Sequence, residues 1–338
     1  MGAGSVDRRQ AENMKKRERL EAAMSGAPVD RVAGALWRHW PGDDQRADDL
    51  AAAHIEFQRQ HDWDFVKVTP SSSYCLEDWG IEDRWEGTLE GTRTYKQRVV
   101  HEPEDWMSLK PLDPTQGGLG RQLECLRLLG EAFGEEVPFI QTIFSPLAQA
   151  KNLAGRSTLI RHMRQNASQV HYALQTIAET TLRFIEEARS MGIAGIFYAV
   201  QLADYESLSE AEYKVFGCPY DQQILAATKD MWLNVLHLHG PHGMFGLMAS
   251  YPVQVINWHD REAPPSLESG LKRIKGAAIG GVSRDALHAE DPSEALEQAR
   301  DAYEQTGGHR WILGVGCVTL VTTPAGNIRK LRALIDEL

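Results

Sequence analysis

The sequence predicts a single (β/α)8 TIM barrel. Three observations carry this reading: eight short apolar runs rich in β-branched and aromatic residues, helical patterns between most of them, and a length of 338 residues, enough to close one barrel. Several runs are near-continuous rather than alternating, as expected of strands buried on both faces. A doubly wound open sheet is the competing architecture, and strand count and chain length favour the closed barrel.

The elements follow in order. Asp7 to Met24 reads as a charged helix with a thin apolar stripe of Leu20, Ala23 and Met24, ended by Gly26 and Pro28; it lies within an N-terminal segment 1–27. The predicted strands are Val32–Trp40, Asp64–Thr69, Val137–Phe144, Gly195–Val200, Trp232–His239, Val253–Trp258, Ala277–Val282 and Trp311–Gly316. Helices are expected over Asp48–His61, Leu119–Phe133, Asn166–Met191, Glu210–Ala227, Gly243–Ser250, Leu267–Ile274, Pro292–Thr306 and Pro324–Leu338. The longest carries Val170, Ala173, Leu174, Ile177, Thr181, Phe184, Ile185 and Ala188 on one face. Pro292 and Pro324 are placed in first helical turns, where a missing N–H costs nothing. Residues 81–113 do not fit a helix, and Thr92 to Val100 reads as a β-hairpin insertion after the second strand. Residues 1–338 are expected to form one barrel domain.

Charge excludes some functions. With 47 acidic against 36 basic residues the formal net charge is −11, unsuited to nucleic acid or an anionic membrane. No apolar stretch approaches the ~20 residues of a membrane span, and residues 1–19 lack the apolar core of a signal peptide. Four cysteines without CxxC spacing fit reduced thiols and a cytoplasmic location. No P-loop, GxGxxG or GxSxG occurs. The oligomeric state is not legible.

In such barrels functional side chains gather at the C-terminal ends of strands. His237 and His239 project to the same face of the fifth strand. Cys317, after the eighth, adds a thiol, and two nitrogens and one sulfur make a first shell that zinc accepts. The competing reading is a strand end with ordinary polar residues and a small buried thiol. Trp37, Arg38 and His39 after the first strand, Lys67 and Tyr74 at and after the second, Tyr198 at the fourth and Asp260 after the sixth are candidate substrate-binding residues; Arg38 and Lys67 suit a carboxylate. His242, His259 and Arg261 share the same end. Gly280-Gly281 marks a close backbone approach.

Arg17 to Gly26 followed by Val29-Asp30-Arg31-Val32, Gly192 to Phe197, and Gly316-Cys317 with Pro324 and Asn327 together resemble the uroporphyrinogen decarboxylase superfamily over nearly the whole chain. The resemblance implies a (β/α)8 barrel. It departs from true decarboxylases: only Arg38 remains of the arginine-rich loop, no aspartate follows the second strand, the tyrosine expected after the third falls near Asn152, and Cys317 stands at the eighth-strand histidine position. The zinc-dependent methyltransferases that act with corrinoid proteins are more similar. Their pattern is His-x-Cys after one strand and Cys after the last; here His237-Leu238-His239 and Cys317 occupy those places, with His239 replacing a cysteine.

The resemblance therefore implies a methyltransferase moving a methyl group between a small molecule and a corrinoid carried by a partner protein. Zinc would be held by His237, His239 and Cys317. The alternatives are a metal-free decarboxylase-like lyase acting on a carboxylated small molecule, and a non-catalytic barrel that binds a tetrapyrrole or corrinoid.

Overall fold

The computed structural model describes residues 13–338, so the part of the N-terminal helix expected over 7–12 lies outside the described residues. The strands are β1 (Ala33–Gly34), β2 (Val66–Val68), β3 (Glu82–Arg84), β4 (Thr94–Gln97), β5 (Phe139–Phe144), β6 (Gly195–Val200), β7 (Val235–Leu238), β8 (Val255–Trp258), β9 (Ala277–Val282) and β10 (Trp311–Val315). Eight of them form one parallel sheet in the order β1-β10-β9-β8-β7-β6-β5-β2. That cyclic order is the (β/α)8 barrel. β3 and β4 pair antiparallel as the expected hairpin after β2.

β1 is only two residues long, and polar side chains close the barrel between it and β2. The Asp64 N–H donates to the Gly34 carbonyl (3.0 Å), and the Gly34 N–H donates to Asp64 Oδ2 (2.8 Å). Asp64 also accepts from Arg19 Nη1 (2.7 Å) and from Arg31 Nη1 (2.9 Å). Arg19 belongs to the helix Lys16–Ser25, which packs beside β1, β9 and β10. One fully buried carboxylate thus ties the N-terminal helix, the chain leading to β1 and the start of β2 together.

The strands are apolar on both faces because helices cover the outside and side chains fill the centre. Glycines set the tightest approaches: a Cβ on Gly280 would stand 2.3 Å from Asp260 Oδ1, consistent with the close contact expected there.

Helices differ from expectation mainly where turn chemistry intervenes. The helix expected over Glu210–Ala227 is two, Glu210–Phe216 and Cys218–Ala227. Pro219 starts the second, and its missing N–H forbids a continuous ladder. Two unexpected helices, Pro146–Ala154 and Arg156–Gln165, follow β5. Their signal was present: Ser145 Oγ accepts from the Ala148 N–H, Pro146 sits in the first turn, and Gly155 at φ +87° separates the pair. Pro292 and Pro324 stand one residue before their helices rather than inside the first turn. No described helix is long and apolar enough to cross a membrane.

Candidate metal centre and its cavity

The C-terminal end of the barrel brings four ligand-bearing side chains together. His237, His239, His259 and Cys317 each offer one ligand atom, and these atoms lie within 4.8 Å of one another. His237 is in β7, and His239 follows it with its N–H donating to the Val200 carbonyl (3.0 Å), which prolongs the pairing with β6. His259 follows β8 and Cys317 follows β10. The Cys317 Sγ lies 3.8 Å from His239 Nδ1.

Two of the histidines are held from behind. Asn257, fully buried in β8, donates from Nδ2 to the carbonyls of Ile279 and Val315, both at 3.0 Å. Its Oδ1 must then accept, so His237 Nδ1 carries the proton of the 2.6 Å bond between them. That leaves His237 Nε2 with its lone pair turned to the cluster, the tautomer a metal ligand requires. His259 Nδ1 lies 3.2 Å from Glu262 Oε2, and its buried Nε2 has no hydrogen-bond partner among the described residues. Such an orphan, beside a thiol and two imidazoles, fits a divalent ion.

The electrostatics agree. Burial alone would raise the Cys317 thiol, but the surrounding imidazoles of His237, His239 and His259 hold it well below the ordinary thiol range. Burial opposes charge on His259, yet Cys317 and Glu262 raise it to about 9. Burial lowers His237. The cluster therefore favours a thiolate, the form in which cysteine binds metal.

A cavity of about 540 Å³, open mouth included, lies in front of the cluster. Trp37, Phe144 and Phe197 supply apolar wall, and His39, Lys67 and Thr69 supply polar groups. Among the described residues, Lys67 is the only lysine or arginine lining it. Its Nζ donates to Thr69 Oγ1 (3.2 Å) and sits 4.7 Å from the Phe197 ring centre. Burial pushes Lys67 down to about 7. Buried His39 is lowered to about 3 by desolvation and by Lys67, so its ring is neutral.

The other sequence candidates stand elsewhere. Arg38 and Trp40 lie on the opposite side of the chain from Trp37 and His39; the Arg38 guanidinium stacks 4.6 Å from the Trp40 ring, facing an outer groove beside Asp43 and Phe57. Tyr198 also points outward, since Phe197 and Ala199 take the inner positions of β6. Its hydroxyl donates to Asp221 Oδ1 (2.6 Å), where Tyr213 and Tyr251 also donate. Tyr74 packs against Phe144 and Phe184 and donates to the Thr142 carbonyl (2.7 Å). Asp260 is turned under β9, where it accepts from the Gly281 N–H (3.0 Å). Arg38, Tyr74, Tyr198 and Asp260 all stand outside the cavity lining. Sequence reasoning placed His259 at this end of the barrel but not within the cluster, and it missed Asn257.

Comparison with known proteins agrees with the fold. The chain is 23% identical to a methylcobamide:CoM methyltransferase (MtbA) of Methanosarcina acetivorans, covering 93% of this chain and 96% of that one. It is 27% identical to a uroporphyrinogen decarboxylase of Crocosphaera subtropica, over 66% of this chain and 64% of that one. Its fold matches the solved structure of a methyltransferase from Methanosarcina mazei with a TM-score of 0.84 at 19% identity, covering 96% and 99% of the two chains. Residues 38–338 match the uroporphyrinogen decarboxylase (URO-D) family, and the chain belongs to that family.

Proposed function

We propose that the protein is a metal-dependent methyltransferase that moves a methyl group between a corrinoid, presented by a partner protein, and the sulfur of a small thiol. The observation that carries this reading is the convergence of Cys317 with His237 and His239 at the barrel mouth, in a chain similar over nearly its whole length to methylcobamide:CoM methyltransferases. Zinc, which accepts mixed nitrogen and sulfur ligands, would keep a substrate sulfur deprotonated near neutral pH.

The residues divide the remaining work. Asn257 fixes the His237 tautomer, and Glu262 orients His259. Trp37, Phe144 and Phe197 keep water from the reacting sulfur. Lys67, buried and without a carboxylate partner among the described residues, suits an anionic group at the far end of the substrate. His39, neutral at its side, offers a hydrogen bond to the same group. The transfer would form the sulfur–carbon bond as the bond between methyl and corrinoid breaks, the bonding electron pair remaining with the partner's corrinoid; the thiol proton would already have passed to solvent when the sulfur was deprotonated.

A decarboxylase reading would ask for several cations around the substrate; with Arg38 turned outward, Lys67 alone answers among the described residues.

The anionic subsite is testable with a matched pair of thiols. Lys67→Met is expected to raise KM for 3-mercaptopropionate about tenfold or more, since a hydrogen bond to a charged group contributes roughly 1.5–3 kcal/mol. KM for neutral 2-mercaptoethanol should barely move. Equal shifts for both thiols would remove Lys67 as the anion contact.

A further inference from the structure

The motif legible in the sequence supplies three donors, and the fold adds a fourth. His259 is 8% exposed, and its Nε2 has no hydrogen-bond partner among the described residues. Its ring centre lies 5.4 Å from that of His239 and 6.0 Å from that of His237. Zinc–nitrogen bonds of ~2.0–2.1 Å and zinc–sulfur bonds of ~2.3 Å place the donors of a tetrahedron roughly 3.3–3.8 Å apart. The 3.8 Å from Cys317 Sγ to His239 Nδ1 already meets that spacing, and no pair in the cluster exceeds 4.8 Å. Contraction by about 1 Å completes the set.

The support behind His259 is also that of a ligand. Glu262 Oε2 lies 3.2 Å from Nδ1, so the carboxylate accepts a hydrogen bond from the Nδ1–H and leaves Nε2 facing inward, the carboxylate–histidine pairing that orients metal ligands. Register supplies the reason for the placement. His237 is aligned with Asn257 across β7 and β8, so two residues further on His239 and His259 stand side by side on the same inner face.

We propose that His259 is the fourth ligand, so that the resting ion is held by three imidazoles and one thiolate. This rests on the metal-dependent reading above. Three neutral imidazoles and one thiolate leave a divalent ion with one net positive charge, where a pair of thiolates would leave none. The histidine at 239 therefore gives a centre that attracts an anionic sulfur more strongly.

The test uses the full-length protein, labelled with 15N-histidine and loaded with one equivalent of 113Cd as a zinc surrogate. Three histidines should show cadmium–nitrogen coupling, and that of His259 should vanish in His259→Gln. In competition with a chelator, His259→Gln should bind zinc at least tenfold more weakly, and Glu262→Gln should weaken it in the same direction. Coupling confined to His237 and His239 in the unmutated protein would overturn the assignment while leaving the metal-dependent reading in place. Failure of the unmutated protein to take up either metal would overturn both.

Discussion

Cys317→Ala should empty the metal centre and lower methyl transfer by roughly 10²–10³-fold, the equivalent of the several kcal/mol of charge stabilisation that a bound metal supplies. Cys317 is the only thiol in the cluster, and its charge would offset half that of a bound divalent ion. Its side chain is only partly buried, and Val318 and Thr319 anchor the adjoining chain, Thr319 by its N–H donating to the Trp37 carbonyl (2.9 Å). The substitution should therefore leave the fold intact. Metal analysis and the unfolding midpoint should separate: metal falls well below one equivalent while the midpoint of the metal-free protein stays put. A Cys317→Ala protein that keeps a full equivalent of zinc and its transfer rate would remove the thiolate from the site.

The second large effect concerns stability. Asp64→Ala should destabilise the protein by about 3–5 kcal/mol, the range for removing one partner of a buried ion pair. Asp64 is fully buried and serves the guanidinium groups of Arg19 and Arg31 and the N–H of Gly34. Arg19 keeps Asp30, with both bonds at 2.6 Å, so part of the network survives. The loss falls on Arg31 and on the β1–β2 closure, where the short first strand has little ladder of its own. Urea unfolding measures it; a change under about 1 kcal/mol would show that the closure does not depend on this carboxylate.

These two residues illustrate what the sequence shows and what it hides. The eight barrel strands were legible because strands buried on both faces give apolar runs that little else resembles. His237, His239 and Cys317 were legible because two histidines at i and i+2 after such a run must share a face. Arg38 and Tyr198 went astray on parity: each alternates with inward residues, Trp37 and His39 in one case, Phe197 and Ala199 in the other. That alternation was readable, since residues one apart on a strand face opposite sides. His259 carried the same signal, for Asn257-Trp258-His259 repeats the i, i+2 pattern of His237-Leu238-His239. Its proximity to His239 depends on the register of β7 against β8, which no local pattern gives. Tyr74 lies in a loop, where there is no period to read. The role of Asp64 was hidden for a similar reason, because its partners are 30, 33 and 45 residues away.

The central claim is metal-dependent transfer between a corrinoid and a thiol. It is tested most directly by mixing the purified protein, without oxygen, with methylcobalamin and 3-mercaptopropionate and following the absorbance of cob(I)alamin. Transfer should occur with the zinc-loaded protein, stop after zinc is removed by chelation, and return when one equivalent is restored. A rate unchanged by chelation, or no transfer by the zinc-loaded protein, would contradict the account.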